Sequence, residues 1–222
     1  MGNEIVEYYD KLAKDYDHDR FGNSYGRFVD YQERRLLRSW DVTPEGTVDL
    51  ACGTGRLTDF AETGVDASEG MLAEARKRHP GKQFVCAQGQ ATTLPSSSAG
   101  TVISFHLMMH LEPAVIAEIF DEMARILRSG GRFIFDIPSQ SRRLILGKKQ
   151  VSWHGSTGLD RAQVQQLCAD KFTIARRHGI MMLPVHHLPK CLRKLMRSVD
   201  YLLCGSWLKP YSSYVVYELI KK

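Results

Sequence analysis

Ile5, Tyr8, Tyr9, Leu12, Ala13 and Tyr16 recur at helical spacing, so the chain opens on an amphipathic helix. Asp17 to Tyr25 is polar and interrupted by Gly22, and a second helix is predicted from about Gly26 to Trp40. The period then changes. Thr47-Val48-Asp49-Leu50 is short and apolar and enters a glycine-rich turn, as a buried strand does. Further strands are predicted at Thr63–Asp66, Gln83–Ala87, Thr101–Phe105 and Arg132–Ile137. Helices fall between them. Ser68 can cap one that carries Met71, Leu72 and Ala75. Pro113 starts another with the stripe Ile116, Ile119, Phe120, Met123 and Leu127, ended by Ser129-Gly130-Gly131.

Regularity loosens after Ser139. Asp160 can cap a helix through Cys168, Phe172 to Met182 reads as a strand, His186 to Trp207 as a long helix, and Ser213 to Ile220 as an alternating closing strand. Strands alternating with helices predict a three-layer Rossmann-like α/β sandwich. The expected sheet is seven-stranded and mostly parallel with an antiparallel last strand, plus N-terminal helices and a C-terminal helical cap. One domain is expected over residues 1–222, divided into a helical cover (1–40), a sheet core (41–138) and a cap with closing strands (139–222).

Composition adds an asymmetry. With 43% hydrophobic and 25% charged residues in 222, the chain is an ordinary globular one. Its formal charge of +5 hides two unlike parts. Residues 1–138 carry 15 basic and 21 acidic side chains, a balance of −6, and residues 139–222 carry 15 and 4, a balance of +11. The last third therefore calls for an anion or an anionic surface. Cys52, Cys86, Cys168, Cys191 and Cys204 form no CxxC, so reduced thiols in a cytoplasmic protein are expected, with no metal site. No signal peptide, myristoylation signal or membrane span is read in the sequence.

The most informative segment is Val48 to Thr58, where a strand runs through Gly53-Thr54-Gly55 toward a helix. Glycines let backbone approach a ligand, and the following N–H groups can face it. A dinucleotide fingerprint wants Gly or Ala at position 58, where Thr58 stands. The next strand ends in Asp66, whose carboxylate can accept from both hydroxyls of a ribose.

These residues resemble the class I S-adenosylmethionine-dependent methyltransferases. The match runs through Asp49 to Gly55, Gly64 to Ser68 with Met71-Leu72, Gly89-Gln90-Ala91 with Leu94-Pro95, Ser104-Phe105 with His110-Leu111, and Arg125 to Gly131. Tyr9-x-x-x-Ala13-x-x-Tyr16-Asp17 is similar to the helix preceding the sheet in the ubiquinone/menaquinone-type subgroup. The resemblance implies S-adenosyl-L-methionine as cofactor. Ala51, Gly53 and Gly55 would pass its methionine end, Asp66 and Ala67 would hold the ribose, and Met71 would pack on the adenine. Gln90 and Ala91 would meet the adenine edge, Ser104 and Phe105 would line the other side, and Tyr16 with Arg20 would close over it. Gln90 stands where the family often has Asp, and Thr101 where Asp commonly follows a loop. The short spacing from Gly55 to Asp66 requires a stubby first helix.

Transfer from a sulfonium needs a positioned nucleophile and exclusion of water. A base is needed only for a hydroxyl or a protonated amine. His106, His110 and Asp136, at the ends of the fourth and fifth strands, are the catalytic candidates. His110 reads equally as a helix-start residue, and Asp136 as a loop cap before Pro138. Tyr8 and Tyr9 read as core packing and Cys52 as a small residue under the loop. His154 and the His186-His187 pair have no local support.

Leu188, Leu192, Leu195, Met196, Val199, Leu202 and Leu203 fall on one sustained helical face, away from Lys190, Arg193, Lys194 and Arg197. This reads as a cover helix with a solvated basic face, a lid over an apolar acceptor, or a transient contact with a membrane surface. Arg142, Arg143, Lys148 and Lys149 can add an anion site. The expected partner is a small-molecule acceptor, anionic with an apolar portion, and not nucleic acid; the protein is expected to be a monomer or dimer. A cofactor-binding accessory protein and a nicotinamide-dependent oxidoreductase are the alternative readings.

Overall fold

The computed structural model describes residues 3–147, 157–184 and 188–222. Three helices precede the sheet: α1 (Asn3–Leu12), α2 (Tyr16–Phe21) and α3 (Ser24–Ser39). The polar stretch after Tyr16 is thus a helix of its own, ended at Gly22. Asn23 caps α3, its side chain accepting from the Tyr25 and Gly26 amides at 2.9 Å each.

Strands β1 (Thr47–Leu50), β2 (Thr63–Asp66), β3 (Gln83–Cys86), β4 (Ala99–Ser104), β5 (Leu127–Pro138), β6 (Phe172–Ile180) and β7 (Tyr214–Lys221) form one sheet in the order 3-2-1-4-5-7-6. The pairings from β3 through β5 are parallel, and β7 runs antiparallel between β5 and β6. The expected fold class is therefore the one found. Strand order reverses between β1 and β4, and the crevice beyond their carboxyl ends is where open α/β sheets bind ligands.

Helices α4 (Glu69–Arg78), α5 (Pro113–Ile126), α6 (Gln140–Ile145), α7 (Arg161–Cys168) and α8 (Lys190–Gly205) complete the chain. The Ser68 hydroxyl accepts from the Met71 amide, and Asp160 and Gln163 close a capping box on α7. Between β1 and β2 stands only a single 3₁₀ turn, Thr58–Phe60, the stub that the short spacing demanded. α5 stops at Ile126, before the predicted Ser-Gly-Gly. Leu127 is already extended and pairs with Ala99, while Gly130, at φ +75°, lets the next residues bulge before pairing resumes at Arg132.

Alternation on the strands builds two cores. On one face Val102, Phe133 and Phe135 meet Ile119, Phe120 and Met123 of α5, with Phe172 and Tyr217 alongside. On the other Ile103, Ile134 and Val216 meet Phe28, Leu36 and Leu37 of α3. The ring of Phe120 lies edge-on to Phe133, Phe135 and Phe172, with centroids 5.5, 5.4 and 6.1 Å away.

The last helix is turned over relative to its pattern. α8 packs on α3 and β6, but it buries Asp200 and Cys204 and leaves Leu195 and Leu202 in solvent. The inward face is selected by what α3 offers. Gln32 donates to the Arg197 carbonyl at 3.0 Å and to Asp200 at 3.2 Å, and Arg197 stacks over Tyr31. The Leu183 amide adds a third hydrogen bond, to the other Asp200 oxygen at 2.7 Å. The predicted start of this helix at His186-His187 lies outside the described residues, as do His154, Lys148 and Lys149. Among the described residues no helix is long and apolar enough to cross a membrane.

The Phe120 cluster gives the fold its test. Phe120→Ala is expected to lower the unfolding free energy by about 3–5 kcal/mol. Urea denaturation would show this as a lower midpoint at unchanged slope; an unchanged midpoint would contradict the packing described.

Candidate active site

Both strands at the switch point leave the sheet through left-handed backbone. Ala51, after β1, has φ +57°, and His106, just past β4, has φ +60°. Such conformations cost a non-glycine residue about 1–3 kcal/mol each, so the surroundings must hold them. The Cys52 amide donates to the Val65 carbonyl at 3.1 Å, and the His106 amide donates to Asp136 Oδ1 at 2.6 Å. Asp136 thus clamps the turn after β4.

Gly53 is also left-handed, at φ +54°, and a Cβ there would meet nothing within 4 Å, so it borders open space. Its amide donates to Asp66 Oδ2 at 2.8 Å, while the Ser68 amide donates to Oδ1 at 2.9 Å. Each oxygen keeps acceptor capacity for a ligand. Burial pushes the Asp66 carboxyl up, opposed by the amides of Ser68, Gly53 and Ala67. Gly55 has a different task. At φ +79° it packs so tightly under α4 that a Cβ would lie 2.9 Å from the His79 ring. His79 Nε2 in turn sits 2.8 Å from the Gly55 carbonyl oxygen.

An open cleft of about 650 Å³ lies between these strand ends. Ala51, Gly53, Asp66, Ala67 and Met71 form one wall, and Phe105, His106 and His110 another. Tyr16 comes from α2 and Tyr9 from α1. Gly55, Ser104, Gln90, Ala91 and Arg20 do not line it. Ser104 is buried beneath the wall with its hydroxyl unpartnered among the described residues, and Gln90 stands behind Gly89, which does line the cleft. Tyr8 and Tyr9 do not pack in the core as their spacing predicts: Tyr8 is exposed, and Tyr9 reaches His110 Nε2 at 3.2 Å.

The N-terminal cover is tied down by carboxylates. Asp10 of α1 accepts from the Ser68 hydroxyl and from the Gly70 amide at 2.9 Å, at the start of α4. Asp17 of α2 accepts from the Thr54 hydroxyl at 2.7 Å and pairs with Arg78.

His106 sits in a buried charge cluster. Its Nε2 is 2.6 Å from Glu33 of α3 and its Nδ1 3.4 Å from Asp136. Arg56, just past the glycine loop, lies 2.7 Å from Glu33 and 2.9 Å from Asp30. Burial lowers the His106 basicity, but Glu33 and Asp136 outweigh it and hold the ring above its ordinary value. Burial opposes ionisation of Glu33, yet Arg56 and His106 bring it down to about 2. For Asp136 burial wins, and its carboxyl is raised. The two carboxylates thus favour the protonated form of His106. Glu33 and Arg56 escaped the sequence reading because their partner comes from another element; only the position of Arg56 after Gly55 was a signal.

Beside the cleft, sharing Tyr16, His106 and His110, opens a second chamber of about 750 Å³. Arg20, Tyr25 and Tyr214 line it. Burial keeps the phenols of Tyr16, Tyr25 and Tyr214 protonated, although Arg20 pulls each the other way. Cys52 is buried beneath the loop, and burial holds its thiol far above the ordinary value.

Residues 48–135 match the family described as a methyltransferase domain. A demethylmenaquinone methyltransferase of Beutenbergia cavernae is 36% identical over 143 residues, 60% of this chain and 57% of that one. A trans-aconitate 2-methyltransferase of Rhizobium rhizogenes is 28% identical over 130 residues, 52% of this chain and 50% of that one. The chain spans little more than half the length of the curated relatives it matches. An S-adenosylmethionine-dependent methyltransferase structure from Thermotoga maritima superposes with a TM-score of 0.73, covering 98% of this chain and 100% of that one at 18% identity. That likeness is one of fold. Residues 48–135 are thus similar to a methyltransferase domain, and the chain shares the fold of that methyltransferase structure. Its sequence relatives include the demethylmenaquinone and ubiquinone/menaquinone methyltransferases.

Asp49 supplies a pH test. Burial raises its carboxyl to about 7, though the Thr58 hydroxyl donates to it at 2.9 Å. From the ordinary carboxylate range up to about 7 the folded state holds a proton that the unfolded state has lost, so stability falls as pH rises through that window. Asp49→Asn removes the effect. The variant is expected to gain on the parent progressively between about pH 4 and pH 8, by roughly 4 kcal/mol at the limit. Thermal or urea unfolding across pH measures the difference; parallel curves would contradict a buried neutral Asp49.

Proposed function

We propose that this protein is a methyltransferase that uses S-adenosyl-L-methionine and acts on a small anionic acceptor with an apolar portion. The observation carrying the reading is the Asp66 carboxylate. Two backbone amides fix it beside the left-handed Gly53, and it faces the cleft with acceptor capacity to spare. This fits a ribose with two neighbouring hydroxyls. Open space at Gly53 fits the close passage of a chain, and Met71 gives the wall an apolar face.

Bound there, the cofactor would supply a methyl group already activated on a sulfonium. The protein's own task is placement. Asp66 and Ala67 would hold the ribose, and Ala51 and Gly53 the methionine end. Phe105 and Tyr16 would exclude water from the transfer line. His106, clamped between the Glu33 and Asp136 carboxylates, sets charge and shape where the two chambers meet. His110, bonded to Tyr9, is the residue there that can receive an acceptor proton, if the acceptor has one to lose. Arg20 would anchor an anionic group in the second chamber, where Tyr25 and Tyr214 provide the apolar walls. In this reading residues 1–40 cover the site, 41–138 hold the cofactor, and 139–222 complete the acceptor side of one domain.

Calorimetry with S-adenosylmethionine and its demethylated product is expected to give tight binding, and Asp66→Ala to weaken it by about 100-fold or more. Unchanged binding in that variant would refute the site. Arg20→Gln is expected to raise KM for an anionic acceptor about tenfold or more at unchanged cofactor affinity; an anionic acceptor turned over with the same KM by both proteins would refute the anchor. Mass spectrometry for the gain of one methyl group reads turnover. Binding without any turnover over a broad acceptor panel would make the chain a cofactor-binding accessory protein instead.

A further inference from the structure

The side of α8 that faces away from α3 is aliphatic and open to solvent. Leu192, Leu195, Val199 and Leu202 are 44, 71, 44 and 72% exposed. Their spacing of i, i+3, i+7 and i+10 lines them up along one side of the helix. Trp207, two residues beyond the helix end, is 81% exposed. Single exposed leucines need no explanation, but an aligned stripe ending in an exposed indole marks a contact surface.

The charge around the stripe names the occupant. Lys194, exposed, stands beside the stripe, whereas Arg193 lies on the inward side of the helix. Arg193 reaches back to the Leu188 carbonyl at 3.0 Å and the Ser24 hydroxyl, so its charge stays beside the helix. No Asp or Glu occurs from Lys171 to Val199 or from Tyr201 to Tyr217, while residues 171–199 hold seven Lys and Arg. The helix's one carboxylate, Asp200, is fully buried and occupied by Leu183 and Gln32. A second copy docking by the same face would bring two basic surfaces together. An anionic lipid leaflet supplies both halves of the match: acyl chains for the leucines and tryptophan, and headgroup phosphates for the cations.

We propose that α8 is an interfacial helix that docks the protein, reversibly, on an anionic membrane surface. The stripe enters the acyl boundary, Trp207 sits at headgroup level, and Lys194 reaches the phosphates beside it. Contact would be salt-sensitive, because the cationic contribution is screened while apolar burial is not. This does not depend on the transfer reaction.

The test is flotation of the full chain with phosphatidylcholine vesicles, with and without about 30 mol% phosphatidylglycerol. Binding to the anionic vesicles alone is expected, weakening as salt rises, with a blue shift of tryptophan emission that Trp207→Phe removes. The double variant Leu195→Glu/Leu202→Glu changes two solvent-exposed positions. It should keep the parent's circular dichroism and thermal midpoint and lose vesicle affinity by about tenfold or more. Equal binding to neutral vesicles would overturn the charge argument. Absence of vesicle binding would overturn the proposal, whether light scattering then shows a monomer or a dimer that the double variant disrupts. So would a double variant that binds vesicles as well as the parent.

Discussion

The arrangement at the site depends on one cluster of buried acidic and basic groups. Glu33 from α3, Arg56 from the loop after β1, His106 after β4 and Asp136 on β5 meet within ion-pair distance. Two basic and two acidic groups taken out of water together are tolerable, whereas any one of them left charged and alone would carry a desolvation cost of several kcal/mol. The cluster binds four elements distant in sequence. It also holds the left-handed backbone of His106, through the same Asp136 that faces the ring. The turn that walls both chambers is therefore held by electrostatics acting on a strained backbone.

Around that fixed centre the two chambers differ in how they are built. The one between β1 and β4 is defined by backbone: left-handed residues, amide-held Asp66, and a glycine with open space beside it. Its cover is tied down by Asp10 at the start of α4 and by Asp17 on Thr54 and Arg78, all near the molecular surface. The neighbouring chamber is defined by side chains, chiefly phenols and the Arg20 guanidinium. Backbone recognition suits a ligand shared by many proteins of one fold, and side-chain recognition suits one that varies.

The +11 balance of the last third is spent in two ways. Some of the cations are internal. Arg197 lies over Tyr31, and Arg176 pairs with buried Glu218, which Arg132 also reaches. Others, such as Lys194, stay on the outside beside an aliphatic surface. The helix that displays it is amphipathic in composition but inverted in mounting, because α3 presents Gln32 and Tyr31 where a leucine stripe would need apolar neighbours.

Features decided by a few adjacent residues could be read from the sequence. The strand and helix alternation, the caps at Ser68 and Asp160, the proline start of α5, the stub after the glycine loop and the end of β2 at Asp66 all depend on local backbone chemistry. The structure places Ala51, Gly53, Asp66, Ala67 and Met71 on one cleft wall, because they follow β1 and β2 directly. Only tertiary structure decided the rest. Tyr9 turns into the cleft because α1 lies across it, and His106 is drawn into an ion pair because Glu33 arrives from a different helix. Gly55 packs under α4 rather than facing the cleft. The outward face of α8 was set by its neighbour. Periodicity reports that a helix has two faces; which one is buried depends on the hydrogen bonds and charges that another segment brings to it.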